Sequence, residues 1–186
     1  MDYLHLDRKK VDIVAKNLND LLASYQLHYQ KLRNFHWNLR SQDFFVLHEK
    51  FEQFYTDANT KIDDIAERIL TLRVQPISQL SDYLKISQIK EVSGNLDEHE
   101  MVQEILNDFS TLIKLGRNVT KAASEAEDEG TVDLLGSYIG DLEKNCWMLS
   151  SYLEKNKPKK ISSDGAGDRA AAGAEKEASA KSKAKI

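Results

Sequence analysis

The chain has 186 residues, of which 30% are charged, and a formal net charge of −4. This length is most simply one domain with a sizeable core. The single cysteine, Cys146, excludes an intrachain disulfide and is too few for a cysteine-based metal site. No stretch approaches the roughly 18 apolar residues of a membrane span, and the N-terminus carries no apolar signal segment. We therefore expect a reduced, cytoplasmic protein with no membrane partner.

Apolar residues recur at helical spacing in four long segments, in a chain with two prolines and eight glycines. The first segment runs from about residue 8 to residue 39 and the second from about 44 to 72. Asp43 is expected to cap the start of the second helix, and Pro76 to end it, because proline cannot continue the backbone hydrogen bonds of a helix.

The connector after the second helix is too long for a simple turn, and residues 79–85 are expected to form a short helix within it. The third long segment runs from about residue 98 to residue 128. Thr131 is expected to cap the fourth, which continues to about residue 153. Four long helices with one long middle crossover predict an all-α protein, a ferritin-like four-helix bundle.

The composition changes at residue 157. Residues 157–186 carry eight Lys or Arg against four Asp or Glu, a net +4 that leaves −8 for residues 1–156. With almost no large apolar side chain, this segment is predicted to be a disordered tail following a domain at 1–156. A basic arm on an acidic body indicates binding to polyanions such as duplex DNA, and the alternative is a solubilising tail. The candidate DNA-contacting residues are Lys157, Lys159, Lys160, Lys176, Lys181, Lys183 and Lys185.

Metal-ligand side chains lie along one face of the second helix. Four such residues are His48, Glu52, Asp63 and Glu67. They fall at about 0°, 40°, 60° and 100° around the helix axis. His36 precedes them by twelve residues. Glu52 and Asp63 are separated by roughly 16 Å along a helix axis, so one ion cannot join both within a single helix.

Two arrangements satisfy this spacing: half-sites that never close, or closure by a second, antiparallel copy of the chain. Bundles that build a di-iron centre within one chain use Glu-x-x-His pairs, and no histidine here has Glu three residues before it. Imidazole and carboxylate ligands suit iron, manganese or zinc. The alternative is that His36 is a core residue and that Asp63 and Glu67 either belong to a solvated face or pair with Lys61 and Arg68.

Three segments carry a specific resemblance. They read NFHWN at residues 34–38, DFFVLHE at 43–49 and IDDIAERI at 62–69. Together they resemble the signature of the Dps family, ferritin-like proteins that protect DNA in starved cells. Residues 143–149, EKNCWML, resemble the family's fourth helix, and the similarity extends over about residues 8 to 154.

The resemblance implies a hollow shell of twelve identical chains, a homo-dodecamer, with iron oxidised at ferroxidase centres on two-fold interfaces. His36 and His48 would come from one chain, and Asp63 and Glu67 from its partner. Glu52 stands where the family usually has Asp and is expected to add a further carboxylate. This implies an enzyme, a ferroxidase with an inter-subunit di-iron centre.

The implied reaction oxidises Fe(II) with hydrogen peroxide in preference to dioxygen and stores Fe(III) as a mineral, protecting DNA from oxidative damage. Trp37 would intercept oxidising equivalents, and its alternative role is core packing. Asp128 and Asp133 are the candidates for lining an iron pore, against the alternative of a solvated acidic surface. A second implied function is sequence-independent compaction of DNA by the tails, which would place the protein on the nucleoid.

Overall fold

A computed structural model of the chain describes residues 3–155. Within this range the chain is helical and contains no strand. The helices are α1 (Arg8–Asn38), α2 (Phe44–Thr71), α3 (Leu80–Ile86), α4 (Glu98–Glu125) and α5 (Glu129–Lys155). This confirms the ferritin-like bundle and the short helix in the crossover. None of these helices combines the length and apolar character needed to cross a bilayer.

The bundle is built around α1, which packs against both α2 and α4, while α4 packs against α5. Its core is formed by apolar side chains at helical spacing on all four long helices. Completely buried examples are Leu18, Phe35, Phe51, Ile65 and Ile105. Each such side chain contributes roughly 1.5–3 kcal/mol by leaving water. This shared core fixes the long helices relative to one another and so positions the side chains on their outer faces.

Two helix starts are capped as their sequences suggest. Asp7 accepts hydrogen bonds from the Lys9 and Lys10 amides at the start of α1. Asp97 and Glu100 form a reciprocal capping box at the start of α4. Such caps satisfy amide groups that have no partner inside the helix, and each stabilises the helix by about 1 kcal/mol.

The expected cap of the last helix is wrong. Asp128, not Thr131, precedes α5 and accepts the Thr131 amide at Oδ1, 3.1 Å away. The Thr131 hydroxyl also donates to Asp128 Oδ2 at 2.6 Å. Because Asp128 takes the capping position, α5 begins at Glu129 and Thr131 lies in its first turn.

The expected ends of α2 also need correction. Asp43 precedes α2 but makes no side-chain capping bond; its carboxylate accepts the Tyr152 hydroxyl at 3.0 Å instead. At the other end α2 stops at Thr71, before Pro76, and the backbone of Arg73 takes a left-handed φ of 62°. The turn after Thr71, and not the proline, therefore ends the helix.

A buried ionic network joins α1 to α4. Asp108 on α4 accepts the Lys31 ammonium at 2.7 Å and the His28 Nδ1 at 2.9 Å. Each of these three side chains is at most 5% exposed. Charges are retained at such depth only when each is paired, since an unpaired buried charge costs several kcal/mol.

Candidate metal centre

The two predicted histidine ligands lie together within one chain. His36 is in the last turn of α1, His48 is in α2, and the short connection between the helices brings the two rings into contact. The ring centroids are 3.7 Å apart and the planes are tilted by 19°. His36 Nδ1 lies 2.9 Å from the backbone carbonyl oxygen of His48, and His48 Nδ1 lies 3.0 Å from that of His36.

This reciprocal arrangement selects one tautomer for each ring. A backbone carbonyl only accepts hydrogen bonds, so the Nδ1 atom of each histidine carries the hydrogen. Each Nε2 atom then keeps its lone pair for a metal ion. Carbonyl partners of this kind orient metal-binding imidazoles and increase their basicity. The two imidazole rings are therefore already oriented, with both Nε2 atoms available to bind a metal ion.

Aromatic rings surround the histidine pair. Phe44 stacks on His48 with 4.8 Å between centroids, and Tyr55 meets the edge of His36 at 5.3 Å. Burial raises the pKa of the Tyr55 phenol, and the nearby carboxylate of Glu52 raises it further by its charge and by accepting the phenol's hydrogen bond. Tyr55 thus links Glu52 to His36. Tyr55 was not predicted from the sequence, although its spacing of three residues from Glu52 and seven from His48 places it on the same helix face.

The predicted carboxylate ligands all lie on α2, and Asp63 and Glu67 are roughly 22 Å or more along its axis from His48. Glu52, Asp63 and Glu67 are all exposed on α2. Within residues 3–155 they form no close group with His36 and His48; the one cluster of three ligand-type side chains in that range is Asp97, Glu98 and His99. One chain therefore presents its candidate ligands in two separated sets: Glu52 lies one turn from His48, and Asp63 and Glu67 lie further along α2.

Trp37 lies beside the histidine pair and points outward. Its side chain is 59% exposed, and the Arg33 guanidinium lies 4.7 Å from its ring. The alternative that Trp37 packs in the core of its own chain is therefore wrong. A large exposed aromatic ring next to a ligand pair is available for contact with another molecule.

The two candidate pore residues differ in surroundings. Asp128 is 2% exposed, and its carboxylate binds the Arg68 guanidinium and the Thr131 hydroxyl. A side chain engaged in this way cannot line a water-filled pore, so the assignment of Asp128 to a pore is corrected: it is the cap of α5. Asp133, one turn further along, is exposed and stays a candidate. The tail lysines from Lys157 onward lie outside the described residues.

Comparison with known families agrees with this architecture. The model of the ferritin-like domain family matches residues 15–157. A protein named DNA protection during starvation protein, from Brevibacillus brevis, is 44% identical over 145 residues, which are 76% of this chain and 95% of that protein. A protein of the same name from Porphyromonas gingivalis is 41% identical over 156 residues, 81% of this chain and 94% of that one.

Solved structures give the same result. The crystal structure of a Dps protein from Vibrio cholerae, described as a member of the ferritin-like diiron-carboxylate superfamily, superposes with a TM-score of 0.79 at 42% identity, covering 82% of this chain and 96% of that one. A Dps protein from Bacillus brevis gives a TM-score of 0.76 at 41% identity, covering 78% and 97%. By its sequence and by its ferritin-like bundle, the chain belongs to the Dps family.

Proposed function

We propose that this protein is a ferroxidase that oxidises Fe(II) and stores the Fe(III) in a hollow cage of twelve copies. The observation that carries the proposal is the reciprocal contact of the His36 and His48 Nδ1 atoms with each other's backbone carbonyls. It leaves both Nε2 atoms available on a chain whose Asp63 and Glu67 lie further along α2. A second copy running antiparallel would bring its carboxylates to these imidazoles. Each two-fold interface would then hold two complete centres.

Exposed apolar side chains support self-association. Phe45 at the start of α2 is 84% exposed, and Trp147 on α5 is 68% exposed. The neighbouring side chains of Val46 and Met148 are 68% and 43% exposed. Exposed apolar surface of this kind marks protein contacts and is disfavoured on an isolated soluble chain. Assembly would cover it.

The substrate is a pair of Fe(II) ions, and the oxidant proposed to be preferred over dioxygen is hydrogen peroxide. One peroxide takes an electron from each Fe(II) and two protons, giving two Fe(III) ions and two water molecules. Because the electrons leave as a pair, no hydroxyl radical is released. The carboxylates of Asp63, Glu67 and Glu52 favour Fe(III), a hard cation, and Trp37 would reduce oxidants that escape the centre.

Mixed cages test the shared centre. Cages of His36→Ala/His48→Ala chains, and cages of Asp63→Ala/Glu67→Ala chains, should both lose fast Fe(II) oxidation by peroxide while remaining assembled. Co-assembled cages contain interfaces with one chain of each kind, and each such interface keeps one intact centre. We expect partial recovery of activity in stopped-flow absorbance. Fully mixed cages that stay inactive would refute a centre shared between chains.

The oxidant is tested separately. Anaerobic loading with Fe(II), followed by peroxide in one sample and dioxygen in another, should give faster oxidation with peroxide. Equal rates would remove the proposed preference and leave the ferroxidase reaction intact. Native mass spectrometry measures the number of chains, and a stable monomer or dimer as the sole species would contradict the cage.

A second function, protection of DNA by direct binding in the cytoplasm, is favoured by the charge distribution. The last 30 residues carry +4, while the remainder carries −8. The relatives named for DNA protection support a role near DNA without specifying contact. Twelve copies of the tail would contact phosphates without reading sequence. The tail variants described in the Discussion test this function.

A further inference from the structure

A buried ammonium group lies between α2 and α5. Lys61 on α2 is 3% exposed, and its Nζ donates to Asp57 Oδ2 at 2.7 Å. The same Nζ lies 3.6 Å from Asp141 Oδ2 on α5 and 5.0 Å from the centroid of the Tyr138 ring. Removing an ammonium group from water is costly unless anionic oxygens replace its hydration. These oxygens and the ring therefore form a binding place for a cation.

A buried hydroxyl group nearby is not used by Lys61. Tyr25 on α1 is 2% exposed, and its hydroxyl has no hydrogen-bond partner among the described residues. Burial raises the pKa of this phenol, and the charges of Asp57 and Asp141 raise it further. Tyr25 thus lies within the electrostatic field of the same two carboxylates. An unpaired buried hydroxyl usually costs about 1–3 kcal/mol, which a hydrated cation beside it would reduce.

Further oxygen atoms complete the group. The Tyr138 hydroxyl donates to Asp64 Oδ2 at 2.6 Å, so a third carboxylate reaches this seam between α2 and α5. Carboxylate and hydroxyl oxygens are the ligands preferred by hard divalent ions such as Mn(II), and Fe(II) binds the same groups. Apart from the ammonium group of Lys61, the arrangement has the chemistry of a single-ion metal site.

The site is accessible from solvent. The side chains of Asp57 and Asp141 are 52% and 60% exposed. A groove along α2 is lined by Glu49, Glu52 and Asp57. An Fe(II) ion near Glu52 therefore has an acidic path to Asp57. The positive charge of Lys61 opposes the binding of Fe(II) at Asp57.

We propose that the Lys61 ammonium group occupies this carboxylate site and thereby prevents Fe(II) from binding within the helical bundle of a single chain. Lys61 is then a specificity-determining residue: it restricts iron to the centre that binds two ions. This role of Lys61 rests on the proposed ferroxidase function, because excluding Fe(II) from the site matters where Fe(II) and hydrogen peroxide are both present. The occupancy of the site by Lys61 does not depend on any oxidation.

The chemistry explains why exclusion would be useful. A single Fe(II) ion gives one electron to hydrogen peroxide, which yields Fe(III), hydroxide and a hydroxyl radical. That radical removes a hydrogen atom from a phenol, forming water and a tyrosyl radical. Tyr25 and Tyr138 would be the nearest phenols to an ion held by Asp57 and Asp141. Iron in this site would therefore damage the core of the bundle.

The test counts bound Mn(II) in the full-length assembled protein by electron paramagnetic resonance. Lys61→Ala removes the charge and frees the space, so we expect one additional Mn(II) per chain relative to wild type. Lys61→Arg keeps the cation and should bind the wild-type number. Lys61→Ala combined with Asp57→Asn removes a ligand and should lose the additional ion. Asp20→Asn in the Lys61→Ala background, at an exposed ion pair with Lys16, should keep it.

An unchanged Mn(II) count in Lys61→Ala would overturn the proposal, and so would an additional ion that survives Asp57→Asn. If Lys61→Ala fails to assemble, Lys61→Gln is measured instead, because it retains most of the length and a hydrogen-bond donor without the charge. The same gain is expected, and its absence overturns the proposal. Mn(II) binding requires no oxidation. A wild-type protein without ferroxidase activity would contradict the proposed function and leave the Mn(II) comparison unaffected.

Discussion

The imidazole rings of His36 and His48 are each oriented by the other residue's backbone, because each Nδ1 atom donates to the backbone carbonyl oxygen of the other residue. The two residues come from different helices, so this pair also connects the end of α1 to the start of α2. Replacing either residue with alanine would remove a proposed ligand and the ring stacked on the other imidazole, while both backbone carbonyls remain. Residues in direct contact that serve one centre do not act additively.

The first prediction follows from this coupling. His36→Ala or His48→Ala alone should slow peroxide-dependent Fe(II) oxidation by at least about tenfold, the scale of losses when a metal site loses a ligand or its orienting partner. The double variant should be little worse than either single variant. Stopped-flow absorbance at matched iron loading measures this, and His5→Ala, at an exposed histidine far along the chain from the pair, is the control. Independent, multiplicative losses would show that the rings are not coupled.

The second prediction concerns stability. Asp108→Ala leaves the buried Lys31 ammonium with Glu104, 3.5 Å away, as its remaining acidic partner, and removes the acceptor of His28. We expect the free energy of unfolding to fall by about 3–5 kcal/mol, as for other buried ion pairs that lose one member. Urea unfolding at equal subunit concentration measures the change, because assembly links stability to concentration.

An exposed ion pair is the control for Asp108. The Lys16 side chain is 73% exposed and binds Asp20 at 3.2 Å. Lys16→Ala should lower the free energy of unfolding by at most about 0.5 kcal/mol, since solvent screens such pairs. Equal effects of the two substitutions would mean that burial of the Asp108 network contributes nothing to the fold.

Much of the fold could be predicted from the sequence because helical periodicity is a local signal. The apolar spacing located all four long helices within a few residues, and the length of the connector indicated the short helix α3. The histidine and carboxylate stripe on α2 was also predictable, since residues on one helix face keep a fixed angular relationship. The grouping of His36 with His48 in one chain was implied by the family resemblance, and the short break between α1 and α2 explains it in the structure.

The predicted helix caps were wrong where a contact with a distant part of the chain determines which residue, if any, acts as the cap. Asp128 and Thr131 can both cap a helix, and the Arg68 guanidinium on α2 favours the first by binding its carboxylate. Asp43 is drawn away from capping by the Tyr152 hydroxyl, which lies 109 residues further along the chain. No local pattern contains these partners, so spacing alone could not identify them.

The site between α2 and α5 was missed for the same reason. In the sequence Lys61 has Asp57 four residues before it, which is the ordinary pattern of an exposed helical ion pair. Its burial depends on Asp141 and Tyr138, both of which lie on α5. The sequence indicated an exposed ion pair, whereas the fold buries Lys61 and places its ammonium group in the proposed cation site.

The third prediction separates Asp128 from Asp133. Asp128→Ala removes the cap of α5 and leaves Arg68 without its carboxylate partner, so the free energy of unfolding should fall by about 2–4 kcal/mol. Asp133→Asn changes an exposed side chain and should alter stability by no more than about 0.5 kcal/mol. If Asp133 attracts incoming Fe(II), this variant should instead slow iron uptake at low Fe(II), measured by the rate of mineral formation. Normal uptake in Asp133→Asn would remove its role in the pore.

The fourth prediction concerns the basic tail. Cages truncated after Asn156 lose a net +4 per chain, so they should not retard plasmid DNA in a gel at low salt, whereas full-length cages should. In the proposed cage twelve tethered tails would bind a long duplex multivalently, and each Lys–phosphate contact would release counterions. The acidic remainder of the chain opposes binding. Retardation should therefore disappear as salt is raised.

A length-matched variant separates charge from tail length in this test. Replacing the seven tail lysines with glutamine keeps 30 residues after Asn156 but gives that segment a net charge of −3. If phosphate contacts are responsible, this variant should run like the truncated cage, and DNA of unrelated sequence should behave identically because no base is read. Iron oxidation should be normal in both variants, since the residues proposed for the centre lie on α1 and α2. Equal retardation of all three cages would show that the tail contributes nothing to DNA binding, leaving iron chemistry as the protective function.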